Sequence, residues 1–179
     1  LSSARGYLVA TGNSDFGYFG GGKSPSEVST VERVNYLNDT VTTLEKGPLS
    51  ETKYSSGATG NQSFGYFGGG DNPSDAVSTV DRLDYSNDTA TAVAKGPLSA
   101  ARSLLAATGN QNFGYFGGGD PNTSRIDRID YSNDTATAPA KGPLSLNRPE
   151  MGATGNADFG YFAGGGPGTR STVDLSLIH

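Results

Sequence analysis

The 179-residue chain has no cysteine and no tryptophan, and it has one histidine and one methionine. Without cysteine there is no disulfide framework and no thiolate metal site. The single histidine, His179, sits at the last position, so neither a Ser-His-acid triad nor a histidine-based metal centre can be assembled; it is expected to be inert there. Apolar residues are scarce at 34%, and no run approaches the roughly 20 needed to cross a bilayer as a helix. Positive charge is also sparse. The net charge is −5 and no run of Lys or Arg exists, which argues against a nucleic-acid partner and against membrane attachment. The first residue is Leu and no leader segment is evident, so the chain reads as a processed product or a section of a longer one.

Glycine and aromatics are what the chain has in quantity: 27 Gly, nine Tyr and eight Phe. So much glycine with few apolar residues usually means disorder, but here large rings return at regular intervals. Gly-Tyr-Phe begins at Gly17, Gly65, Gly114 and Gly160, with spacings of 48, 49 and 46. Ala-Thr-Gly-Asn begins at Ala10, Ala58, Ala107 and Ala153 with the same spacings. Lys-Gly-Pro-Leu-Ser begins at Lys46, Lys95 and Lys141, and a tyrosine returns at Tyr36, Tyr85 and Tyr131. Markers held in phase over this length define a tandem repeat.

One unit spans 100–145. A small-residue strand, Ala101 to Thr108, ends in the turn Gly109-Asn110, and an aromatic strand, Phe113 to Phe116, is closed by Gly117, Gly118 and Gly119. A third strand, Ser124 to Tyr131, alternates apolar and charged residues. A Thr/Ala-rich fourth strand, Thr135 to Ala140, follows the tight turn Ser132-Asn133-Asp134, and Pro143 marks the exit. No segment has a helical period. The expectation is an all-β protein of four-stranded antiparallel sheets, with units 3–50, 51–99, 100–145 and an incomplete 146–179 forming one repeat domain of about 3.75 blades and about 15 strands.

The order of apolar strand, Phe-Gly-Tyr-Phe-Gly-Gly-Gly, loop, Ser-Thr-Val-Asp-Arg-Leu-Asp-Tyr, turn, Thr-rich strand and Gly-Pro-Leu resembles the kelch motif along the whole chain. Gly68-Gly69-Gly70 and Tyr85 match its glycine doublet and its third-strand tyrosine. The family's fourth-strand tryptophan is missing, so that strand must pack more lightly. The resemblance implies β-propeller blades packed face to face around an axis. Kelch propellers usually have six or seven blades, so this chain is expected to be a section of a longer propeller or a self-assembling homo-oligomer; closure of four blades alone is the third possibility. The near-identity of the units is similar to repeat proteins of aquatic bacteria and their phages, which suggests an extracellular or virion location.

Within strand three, Val80, Arg82 and Asp84 share one face, and Leu83 and Tyr85 the other. Arg82 and Asp84, repeated as Arg128 and Asp130, read either as an inter-blade charge ladder or as solvent-exposed charge. Asp81 and Asp84, three apart on a strand, point to opposite faces and cannot serve as a glycosidase pair. Glycine followed by strand rather than helix does not make a phosphate loop. Asp71, Asp75 and Asp120 in the loops between strands two and three read as hydrated acids rather than as Ca²⁺ ligands. Asn38-Asp39-Thr40, Asn87-Asp88-Thr89 and Asn133-Asp134-Thr135 fit the glycosylation pattern but are already accounted for as turns.

No catalytic residue, cofactor or metal is therefore expected, and the functional expectation is a non-enzymatic structural or adhesive module. Its candidate binding residues lie in the variable loops between strands two and three: Lys23, Ser26, Asp71, Asp75, Asp120, Asn122 and Arg170. A glycan or another cell-surface ligand is the expected partner. The competing expectations are an architectural subunit of a fibre or ring and, more remotely, a fragment of a carbohydrate-active enzyme.

Overall fold

A computed structural model describes residues 1–39 and 42–177, which excludes His179. It is an all-β structure of four successive antiparallel sheets. The first contains β1 (Val9–Gly12), β2 (Phe16–Gly20), β3 (Val31–Asn35) and β4 (Leu44–Lys46). The second repeats it with β5 (Gly57–Gly60), β6 (Phe64–Gly68), β7 (Val80–Asp84) and β8 (Val93–Lys95). The third holds β9 (Ala106–Gly109), β10 (Phe113–Gly117) and β11 (Ile126–Asp130). The fourth holds β12 (Gly152–Gly155), β13 (Phe159–Ala163) and β14 (Val173–Leu177). Strands pair in chain order, and β1, β5, β9 and β12 lie beside one another along a common axis. The sheets are thus blades, stacked face to face.

The count among the described residues is 14 strands, not the expected 15, because the fourth strand of the third sheet is reduced to the bridge Asp127↔Ala140. Proline is the reason. Where Val93 pairs with Arg82 in the second sheet, Pro139 stands opposite Arg128; its carbonyl accepts the Arg128 amide at 3.1 Å, but it has no N–H to return. Further boundaries differ from expectation: in the third unit the first strand begins at Ala106 rather than Ala101, and the third at Ile126 rather than Ser124. Tyr85 and Tyr131 lie just past the third strand, opening the 3-10 turns Tyr85–Asn87 and Tyr131–Asn133, and the turns around Asp88 and Asp134 are wider than tight hairpins, with β8 starting only at Val93.

The core sits in the seams between sheets. Tyr18, Val31 and Leu49 meet Phe67, Leu83 and Tyr85 in the first seam; Tyr66, Val80 and Leu98 meet Phe116 and Ile129 in the second; Tyr115, Ile126 and Leu144 meet Phe162 in the third. The leucine of each Gly-Pro-Leu link is one of these plugs. The strand alternation explains the layout: Tyr18 and Gly20 face forward to the next sheet, and Phe67 faces back. A Cβ on Gly20 would lie 2.6 Å from the Phe67 ring, so glycine there is a steric requirement for the ring's seat. Tyr18 stacks on Tyr85 with ring centroids 4.6 Å apart, and Tyr66 stacks on Tyr131 at the same distance.

Two polar systems lie inside this core. The first is a buried cation ahead of each sheet's first strand, paired with an acid on the third strand: Arg5 with Glu32, Lys53 with Asp81 at 2.8 Å, Arg102 with Asp127 at 2.7 Å, and Arg148 with Asp174. Arg102 also donates to the carbonyls of Gly118 and Phe116, tying the end of β10 to β11. Protein donors and acceptors meet most of these charges, which is the condition for tolerating them in the core, but Arg5 Nη2 and Arg148 Nε are buried without a hydrogen-bond partner. The second system crosses the seams. Asp88 accepts from Tyr18 (3.0 Å) and Arg33 (2.7 Å) and pairs with Lys46 (3.2 Å), all from the preceding sheet. Asp134 does the same for Tyr66, Arg82 and Lys95. The charge ladder suggested by Arg82 is therefore inter-sheet, but its acid is the turn residue of the next unit. Asp84 and Asp130 instead accept the backbone amides of Ser86 and Ser132 and start the 3-10 turns.

Candidate functional site

Each unit reaches the axis through the segment ahead of its first strand, and this segment bonds to the loop between strands two and three. The bridges are Gly6↔Lys23, Tyr54↔Asp71 and Ser103↔Asp120. In the fourth unit the Gly166 amide donates to the Pro149 carbonyl at 3.0 Å. One end of the stack is thus a rim with a constant backbone and a different side-chain pair in every unit.

The glycines after the second strand make this possible. Gly69 and Gly70 have φ of +66° and +103°, and the Gly70 amide donates to the Arg102 carbonyl of the next unit at 3.0 Å. Four residues without glycine's freedom are also left-handed at the rim: Tyr7, Ser55, Leu104 and Glu150, with φ between 54° and 59°. They form a main-chain relay around the axis. The Ser55 amide donates to the Tyr7 carbonyl (2.9 Å), Leu104 to Ser55 (2.8 Å) and Glu150 to Leu104 (2.8 Å).

The candidate loop residues divide into two clusters and a set of isolated positions. Lys23 pairs with Glu27 at 2.8 Å, and its ammonium lies 4.9 Å from the centre of the Tyr54 ring, whose backbone is bridged to Asp71. The hydrogen bond that Lys23 donates to the Glu27 carboxylate raises the Lys23 pKa and lowers that of Glu27, so both stay charged. Tyr7 packs edge-on to Tyr54 at 6.0 Å and is 67% exposed. Asn122 and Arg170 come together with Pro149 and Glu150 around an open groove of about 620 Å³ between the third and fourth sheets. Ser26 is exposed, and its carbonyl accepts the Ser24 amide. Asp75 accepts the Ala76 amide at 2.8 Å, and Asp120 is exposed. The three loop acids do not converge; no group of three or more His, Cys, Asp or Glu among the described residues is placed to hold a metal ion.

Sequence reasoning missed Tyr7 and Tyr54. A signal for them exists. Every other aromatic falls into a series repeating in phase with the units (Phe16, Tyr18, Phe19 and Tyr36 with their counterparts), and these two alone stand outside it. Both sit on the rim. The arrangement offers aromatic surface, one ordered cation and acceptors on a fixed backbone. No protein-family model matches the chain, and a search of curated proteins gives no match to it.

Proposed function

We propose that this chain is a kelch-like repeat scaffold whose rim is a non-enzymatic, adhesive binding surface for a glycan or another cell-surface ligand, acting outside the cell or on a virion. The observation that carries the reading is the meeting of Tyr7, Tyr54 and Lys23: the two aromatics outside the repeat lie together on the most variable part of a uniform frame. Kelch-like character rests on the glycine doublets that seat the following unit and on the phase-locked tyrosines, despite the absence of tryptophan.

The experiment is a glycan array and a cell-surface binding assay with folded protein, run beside Tyr7→Ala and Tyr54→Ala. Tyr7 is largely exposed, so its removal leaves stability nearly unchanged. Binding that falls in both variants while the melting temperature holds supports the rim. Binding by neither assay, or binding untouched by both substitutions, overturns it.

A further inference from the structure

The seams share one recognition pattern, and the two outermost sheet faces carry unequal parts of it. A forward face presents tyrosine, glycine and two cations: Tyr18, Gly20, Arg33 and Lys46, then Tyr66, Gly68, Arg82 and Lys95. A rear face presents phenylalanine, a stacking tyrosine and the turn aspartate: Phe67, Tyr85 and Asp88, then Phe116, Tyr131 and Asp134. In all three seams a Cβ on the forward glycine would lie 2.6 to 2.7 Å from the next phenylalanine ring (Gly20–Phe67, Gly68–Phe116, Gly117–Phe162).

The rear face of the first sheet has the whole receiving set. Phe19, Val34 and Asp39 line a groove of about 380 Å³. Tyr36 is 51% exposed, whereas its counterpart Tyr85 is 9% exposed beneath Tyr18. Asp39 is exposed, whereas Asp88 and Asp134 are each 7% exposed under three donors from the neighbouring sheet. The forward face of the fourth sheet is a different surface. Tyr161 is retained, but the glycine position is Ala163 and the arginine position opposite Tyr161 is Leu175. Tyr161, Val173 and Leu175 are 37%, 60% and 56% exposed.

We infer that the rear face of the first sheet is a docking surface for one kind of partner, a β-sheet bearing glycine opposite Phe19 and cationic donors opposite Asp39, and that the chain's own fourth sheet is excluded from that role by Ala163 and Leu175. The argument is continuity with an interface seen within the chain, plus charge complementarity at Asp39. The Ala163 methyl would enter the space that each forward glycine leaves for a ring, and Leu175 would set an apolar group against a carboxylate. The inference is independent of the rim and of any ligand there.

The test supplies the partner on a second copy. Ala163→Gly/Leu175→Arg gives the fourth sheet's forward face the tyrosine, glycine and arginine of the second, without the lysine that the second sheet's fourth strand adds. Sedimentation velocity should show the unaltered chain as a monomer and the double variant as dimers and larger head-to-tail species, since this contact does not close on itself. Adding Asp39→Asn should weaken that association at least about tenfold. Ala163→Gly alone, a one-methyl change checked by circular dichroism, should associate more weakly and with the same dependence on Asp39. Folded variants that stay monomeric overturn the docking surface. Association of the unaltered chain that Asp39→Asn abolishes overturns the exclusion, and association of the double variant indifferent to Asp39→Asn overturns the assigned contact.

Discussion

Tyr18 of the first sheet donates its hydroxyl to Asp88 of the second at 3.0 Å, across a span of 70 residues. Burial first, and then the Asp88 carboxylate, push the Tyr18 pKa well above the usual tyrosine range, so the bond persists into alkaline solution. Asp88→Ala would strand that hydroxyl and the Arg33 guanidinium together. The expected loss is about 2–4 kcal/mol of unfolding free energy in urea denaturation, and Asp134→Ala should behave alike because Tyr66 and Arg82 depend on it.

Gly68→Ala should destabilise by about 1–3 kcal/mol, since its Cβ would lie 2.7 Å from the buried Phe116 ring. Gly152→Ala is the matched control. It also lies in a strand, but nothing stands within 4 Å of its Cβ, so alanine there should be neutral or slightly stabilising. Equal effects in thermal melts would refute the steric account of the forward glycines.

Acid should weaken the first sheet through Glu32. Its burial opposes ionisation, yet bonds from Ser2, Thr43 and Arg5 outweigh this and lower its pKa from 4.5 to about 2. A carboxyl depressed on folding contributes stability above its unfolded pKa and loses it as protons bind. The contribution is therefore complete above about pH 4.5 and fades as pH falls toward 2. In Glu32→Gln, the melting temperature should drop less steeply across that window than in the unaltered chain.

Arg102→Met leaves Asp127 buried without its cation and should cost about 3–5 kcal/mol. Arg102→Met/Asp127→Leu removes both charges and should recover most of that loss. A double variant no better than the single would mean that the bonds from Arg102 to the Gly118 and Phe116 carbonyls, not the ion pair, are the larger contribution.

The periodic part of this architecture is legible in the residues themselves. Gly-Tyr-Phe fixes the second strand because a strand buried on both faces needs a ring on each face and a glycine beside it to seat the neighbouring ring, and Gly-Pro-Leu marks a plug and an exit. The faces of Val80, Leu83 and Tyr85 follow from alternation alone. The ion pairs were harder to read. Arg5, Lys53, Arg102 and Arg148 recur in phase, but the type of cation changes and each partner lies on another strand, 25 residues away for Arg102 and Asp127. Asp88 was hidden for another reason: Asn-Asp-Thr is sufficient as a turn signal, so nothing local asks for a second role. The left-handed Ser55 and Leu104 carry no glycine to announce them, and their amide partners, the carbonyls of Tyr7 and Ser55, lie a whole unit away in the chain.

The relay from Tyr7 through Ser55 and Leu104 to Glu150 runs through amides and carbonyls alone. Angular spacing along the stack is thereby decoupled from side-chain identity. Gene-level duplication, deletion or shuffling of a whole module would preserve the pitch, leaving exposed chemistry at that end to diversify while the geometry underneath stays in step.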